Sequence, residues 1–301
     1  MTSPRRRTPE FLSRLKRLNL SMHRLGGAQE GGSAPGDRRG MGQEFVDHRR
    51  YVAGDDLRYV DWSVYGRLGE MQVKEFAAEE SMHLVLVIDR SASMGVRRDG
   101  QPSKLELALD IGAALGALVL WRGDGVTLLV SDRDRAPERI SFRGRSRLME
   151  LIDQLDGVEA GGGDREMLGL REFFRRREMR STRPVTVLLS DLLRPPADFD
   201  SLFTLAARHS VRTHVIHLAA PEEVNPPLSG RIELVDSETG EPLVLEVDET
   251  VRKTYRQRFQ KHLDAIRGAA LKRGIAHVLL QTDEPMEEAV LSLLRDGRLF
   301  R

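Results

Sequence analysis

There is no cysteine among these 301 residues. That excludes disulfide staples, thiolate zinc sites and cysteine nucleophiles together. Aromatic residues make up only 5% of the chain, with two tryptophans and four tyrosines. Neither sign of charge is in excess: 47 Lys+Arg face 46 Asp+Glu, a net of +1, so no global field draws in nucleic acid. No apolar run approaches the ~20 residues of a membrane-spanning helix. The N-terminus is basic but no apolar signal core follows it, so a cytoplasmic protein is the expectation. Glycine-rich phosphate loops ending in Gly-Lys-Ser/Thr are missing, as are His-Glu-x-x-His and Gly-x-Ser-x-Gly. The eight histidines are scattered, and His214 and His217 fall on opposite faces of one strand.

What is present is a globular composition, 40% hydrophobic and 31% charged, enough for one large domain or a domain with an appendage. Residues 1–41 read as a basic N-terminal arm and helix followed by a linker. Arg5, Arg6 and Arg7 suggest a flexible arm. Phe11, Leu15, Leu18, Met22 and Leu25 then recur at spacings of four and three, one stripe of an amphipathic helix. That stripe either docks on its own domain or recruits a partner or an anionic membrane surface. A Gly-, Ser- and Pro-rich linker closes the segment.

Residues 42–82 form a flap rich in aromatics and charge. It holds Tyr51, Tyr59, Tyr65 and Trp62, together with Arg49, Arg50, Asp55, Asp56, Arg58 and Asp61. Gly54-Asp55-Asp56 has turn chemistry, residues 57–62 alternate like a strand, and residues 72–76 make a further strand. Such a segment is either a structural cover tied down by buried Arg–Asp pairs or a recognition surface, since aromatics and arginine anchor interfaces.

From residue 83 to 301, apolar strand-like runs alternate with helical patterns, which predicts a doubly wound, mostly parallel sheet with helices on both faces. Residues 140–142 suit a short antiparallel edge strand. Residues 230–248 alternate about a turn-rich centre and predict an inserted β-hairpin. The stretch that organises this region is 83–94. Leu84-Val85-Leu86-Val87-Ile88 is a strand buried on both faces, and it changes abruptly to Asp89-Arg90-Ser91-Ala92-Ser93. Three oxygen side chains thus sit at the carboxyl end of a strand, where open α/β sheets bind ligands. A second buried strand, 184–190, ends at Asp191. Oxygen donors of this kind suit a hard, partly hydrated Mg²⁺. The competing reading is that Asp89 and the serines only cap the turn and the next helix.

Asp89, Ser91 and Ser93 resemble the first metal loop of the metal-ion-dependent adhesion site in von Willebrand factor A domains, and Asp191 resembles the third-loop aspartate. The second loop of such domains usually supplies a threonine. Here Gly161-Gly162-Gly163-Asp164 places Gly163 at that position, with Asp164 as a substitute ligand. The resemblance implies a weak or absent Mg²⁺, with Ser91 and Ser93 as direct ligands and Asp89 and Asp191 orienting waters or completing the charge.

Arg50-Tyr51, Gly54-Asp55-Asp56, Arg58, Asp61-Trp62 and Arg67, just ahead of that motif, resemble the signature of domain-of-unknown-function family 58. The resemblance extends to residues 236–241 and Tyr255. It implies a non-enzymatic interaction or adaptor module, with a MoxR-type AAA+ ATPase as partner and no catalytic residues. Arg50, Tyr51, Asp55, Asp56, Arg58, Asp61 and Trp62 are the candidate partner-binding residues. Two alternatives stand beside it: a phosphohydrolase using Asp89 as nucleophile, and a metal-free scaffold that binds through the flap.

Overall fold

The computed structural model describes residues 5–26, 45–76, 82–97, 100–130, 138–161, 184–237 and 239–295. The chain divides into two compact units, residues 30–81 and the remainder, residues 1–29 with 82–301.

The larger unit is built on a six-stranded sheet: β3 (His83–Ile88), β4 (Gly125–Val130), β5 (Glu138–Arg143), β6 (Val185–Ser190), β7 (Arg212–Ala219) and β10 (Ala276–Gln281). Their order is β10-β7-β6-β3-β4-β5, parallel throughout except for β5, which runs antiparallel along the β4 edge. The expected edge strand is therefore present. β3 and β6 are the central pair, and all of β3 after His83 is buried, as a strand covered on both faces requires. The strand order reverses between them, which places the carboxyl ends of β3 and β6 at the switch point of a doubly wound sheet.

One face is covered by α4 (Lys104–Trp121), α5 (Leu148–Asp156), α9 (Met286–Arg295) and α1 (Pro9–Gly26); the other carries α6 (Pro196–His209) and α8 (Glu249–Leu271). α4 is buried along nearly its whole length and on all sides. Its sequence explains this: a Ser103–Glu106 capping box starts it, and from Leu107 its only charge is Asp110. Gly116 lets α5 approach closely, because a Cβ there would meet Leu151 Cδ2 at 2.4 Å.

The amphipathic stripe of α1 docks on this unit, with Phe11, Leu15 and Leu18 in the core beside α4 and α9. A membrane surface could use that stripe only after undocking. The arm ahead of it is not the free basic tail that its composition suggests. Residues Arg5–Arg7 form a 3₁₀ turn. Arg6 is only 4% exposed, bridging Asp110 and Asp156 at 2.8 Å each and donating to the Glu106 carbonyl at 3.1 Å. Arg7 pairs with Asp153.

The hairpin of β8 (Gly230–Val235) and β9 (Pro242–Val247) follows α7 (Pro221–Val224), and its Leu234, Val235, Leu243 and Val244 are exposed. Gly162 and Gly163 of the expected second loop lie outside the described residues.

In the smaller unit, β1 (Phe45–Arg50) pairs antiparallel with β2 (Gln72–Phe76). Between them the alternating stretch is not a strand. Asp56 caps a 3₁₀ turn at Leu57–Tyr59, and Asp61 caps α2 (Trp62–Leu68), which ends at Gly69 in the left-handed conformation. Two capping aspartates placed just before short segments outweigh a period-two pattern only a few residues long.

Candidate adhesion-type site

The backbone leaves β3 at Asp89, whose amide donates to Leu189 O across the central pair at 3.0 Å. The Asp89 carboxylate is buried and both of its oxygens are engaged. Oδ1 accepts from the Ser91 amide at 2.9 Å, and Oδ2 accepts from the Ser190 hydroxyl at 2.5 Å. Asp89 thus braces the end of β3 against the end of β6. Ser91 stands at the N-cap of the short α3 (Ala92–Gly95), yet its side chain makes no capping bond. Its Oγ instead lies 3.1 Å from Ser93 Oγ. The capping alternative therefore holds for Asp89, which closes the turn, and fails for Ser91. The start of the second loop reaches the same mouth, where the Gly161 amide donates to Arg90 O at 2.9 Å. Asp164 lies outside the described residues.

Asp191, one residue beyond β6, is also buried. Its Oδ1 accepts from the Leu193 amide at 3.3 Å, and its Oδ2 takes a hydrogen bond from Lys104 Nζ at 2.7 Å. Next to it, Leu192 is a buried non-glycine residue with φ of 49°, the left-handed region. Such strain persists only where its surroundings over-determine it. Here the Ser190 hydroxyl accepts from the Leu192 amide at 3.0 Å, and the His262 ring holds its carbonyl at 2.9 Å.

Lys104 was not among the residues singled out from sequence, and it is the central cation of this mouth. It is the first residue of α4, 1% exposed, and bonded to both Asp191 and Glu223. Burial works against its charged form, but the two carboxylates outweigh that and raise its pKa. Glu223 is itself held: the Ala220 amide donates to it at 2.8 Å, and the Tyr255 hydroxyl donates to its carbonyl at 2.7 Å. Lys104 and Glu223 also line a cavity of about 270 Å³ walled by the hairpin and α8. One signal was available in the sequence: Lys104 is the only Lys or Arg in a helix whose other charges are Glu106 and Asp110. His217 and His277 lie 3.4 Å apart between β7 and β10. Burial depresses both, His217 to about 3 and His277 to about 4, so they are neutral.

These donors fit a divalent ion in part. Two cis ligands of an octahedral Mg²⁺ at about 2.1 Å stand about 3.0 Å apart, close to the Ser91–Ser93 separation of 3.1 Å. The carboxylate of Asp191 fits poorly, because an ammonium already holds its Oδ2 at 2.7 Å and would lie close to any ion it ligated. No cluster of three or more His, Asp or Glu side chains suited to a metal occurs among the described residues.

The flap residues are gathered in the smaller unit but serve different ends. Asp55 makes a two-pronged pair with Arg49 at 2.6 and 2.7 Å and closes the turn by accepting from the Val52 amide. Asp56 pairs with Arg58 at 2.6 Å, and Arg50 lies 3.6 Å from Glu70. All three pairs are at the surface, not the buried ties expected of a structural cover. Tyr51 donates its amide to Met71 O at 3.0 Å, extending the β1–β2 ladder. Asp61 is the structural member. It accepts from the Ser63 and Val64 amides, lies within 3.2 Å of His48 and Lys74, and these partners, His48 foremost, lower its pKa to about 2. Trp62 and Tyr65 are 58% and 44% exposed, packed edge to face with centroids 6.1 Å apart.

A doubly wound, mostly parallel sheet with one antiparallel edge strand and helices on both faces is a von Willebrand factor A-like fold. A family model described as "Protein of unknown function DUF58" matches residues 47–265, and the chain belongs to that family. Uncharacterised proteins of Mycobacterium tuberculosis and Mycobacterium bovis are 28% identical over 283 residues, covering 91% of this chain and 86% of theirs. Similar solved structures include the conserved hypothetical protein BatB from Bacteroides thetaiotaomicron, 16% identical with a TM-score of 0.45, covering 71% of this chain and 98% of that one. Another is the SpRpn10 VWA domain, 12% identical with a TM-score of 0.40, covering 71% and 95%.

Proposed function

We propose that this chain is a non-enzymatic adaptor, which binds a protein partner through the mouth at Asp89, Ser91, Ser93 and Asp191 and through the aromatic face of the smaller unit. The observation that carries this is the engagement of Asp89. Both of its oxygens brace neighbouring loops, one of them 2.5 Å from a serine hydroxyl, which suits a structural carboxylate and not a nucleophile. The Ser91 and Ser93 hydroxyls, 3.1 Å apart, are the other oxygen side chains of this motif. Ser91 and Ser93 are also the residues that would hold Mg²⁺, whose chemistry there is a coordination position for a partner's carboxylate. The partner class implied by the family resemblance is a MoxR-type AAA+ ATPase. Exposed Tyr59, Trp62 and Tyr65 supply the rigid amphipathic anchors that interfaces favour.

The test is a pull-down of a purified MoxR-type ATPase from the same genome. Capture by the wild type, lost in Ser93→Ala or in Trp62→Ala with the fold intact by circular dichroism, supports the adaptor. Absence of capture by the wild type, with turnover of a generic phosphate ester that Asp89→Asn abolishes, overturns it in favour of a phosphohydrolase. No helix among the described residues is long and apolar enough to cross a membrane.

A further inference from the structure

Lys104 Nζ is fixed from three directions. Asp191 receives it from the end of β6, Glu223 from α7, and the Ser103–Glu106 capping box locks the turn of α4 on which it stands. A lysine ammonium is compact and strongly hydrated, so burying it to 1% exposure is unfavourable unless such partners replace its water. The carboxylate it holds is the one that the adhesion-site resemblance assigns to completing the charge around a divalent ion. An ammonium and a divalent cation cannot share one carboxylate without strong repulsion at such short range.

We infer that Lys104 is the resident cation of this mouth, withholding Asp191 from divalent ions so that the site meets its partner without requiring Mg²⁺. The inference rests on the adhesion-type reading above and specifies how that site is charged. It makes Lys104 a positioning residue: it holds the Asp191 loop, with its strained Leu192, against the start of α4. It also predicts a latent metal site. With the ammonium gone, Asp191 and Glu223 lose their shared cation at the end of β6, the strand next to the one whose end carries Ser91 and Ser93, and together these are the charge and ligand types that a hard cation takes.

Mn²⁺, followed by electron paramagnetic resonance as a probe for Mg²⁺, tests this on the full chain. Wild type and Lys104→Arg, which keeps the charge, are expected to bind Mn²⁺ weakly and alike. Lys104→Met is expected to bind at least about tenfold more tightly, since a like charge has been removed at close range. Folded Lys104→Met that binds no more tightly than wild type overturns the inference. So does tight binding by the wild type that Asp191→Asn abolishes. Where Lys104→Met fails to fold, Lys104→Met with Glu223→Gln carries the same expectation with one buried charge fewer. Should that variant also be unfolded in metal-free buffer, Mg²⁺ and not K⁺ at equal ionic strength must restore its near-ultraviolet dichroism, and failure to do so overturns the inference. Partner capture is a separate readout. A flat Mn²⁺ series with capture intact removes the role of Lys104 alone, whereas the expected series without capture removes the adaptor reading alone.

Discussion

The mouth of the large sheet and the small β1–β2 unit both rely on carboxylate–cation pairs, and they place them in opposite surroundings. Lys104 with Asp191, and Arg6 with Asp110, are pairs in which both side chains are 6% exposed or less. Arg49 with Asp55, and Arg58 with Asp56, lie at the surface. Exposed pairs exchange water for a partner at little gain and are screened by salt. Buried pairs are unforgiving, because removing one member strands the other in a medium that cannot solvate it. The same chemistry therefore sets architecture in one region and surface character in the other.

The largest expected effect breaks the buried side of that contrast. Lys104→Ala leaves Asp191 and Glu223 unpaired and should lower unfolding stability by about 3–5 kcal/mol in urea titration. Arg6→Ala should cost a similar amount, because Asp110 and Asp156 lose their shared partner. A small effect for Arg6→Ala would return the arm to the free-tail description. Next comes the α1 stripe: Leu15→Ala should cost about 2–5 kcal/mol if the helix is as firmly docked as its burial indicates.

Acid sharpens the contrast in a second way. Burial holds His217 at about 3 and His277 at about 4 in the folded state, below the ordinary imidazole value of 6.5. The unfolded chain therefore takes up their protons first, and stability is full above pH 6.5 and falls as pH drops toward 4 and then 3. Each histidine contributes a slope of at most about 1.4 kcal/mol per pH unit in that window. His277→Gln should flatten part of this slope in urea titrations at pH 6.5 and 4.5. In the small unit, Asp61 is held at about 2, so what it contributes is present above its unfolded value and lost only as pH falls toward 2. The unit should thus survive the range in which the sheet weakens. Loss of the β1–β2 signal first, by nuclear magnetic resonance, would contradict this.

How much of this could be read from the chain depends on how far apart the interacting residues lie. The β3 and β6 strands, their adjacency and the turn at Asp89 follow from local pattern and the logic of a parallel sheet. The edge strand β5 and the hairpin were legible for the same reason. Lys104 was not, because its partner lies 87 positions away and an amphipathicity argument treats a lysine at a helix start as solvated. Arg6 was misjudged on the same grounds, with Asp156 150 positions away. The 57–62 stretch failed for a local reason: alternation over so few residues competes poorly with two capping aspartates, and those were visible.

The smallest effect on stability is expected at the surface, and there a binding readout matters most. Trp62 packs edge to face on Tyr65 and is otherwise largely in solvent, so Trp62→Ala removes little buried area. Arg58→Ala likewise leaves Asp56 exposed to water and still able to cap its turn through the Arg58 backbone amide. Both variants should melt within error of the wild type. If the aromatic face is an interface, Trp62→Ala should nevertheless weaken capture of the ATPase by tenfold or more, on the order of 2 kcal/mol, as truncating a central aromatic anchor does. Unchanged capture together with unchanged melting would leave the hydroxyl mouth as the sole contact. A marked fall in melting temperature would instead mean that Trp62 is a structural residue, and that the small unit resembles the mouth in its physics after all.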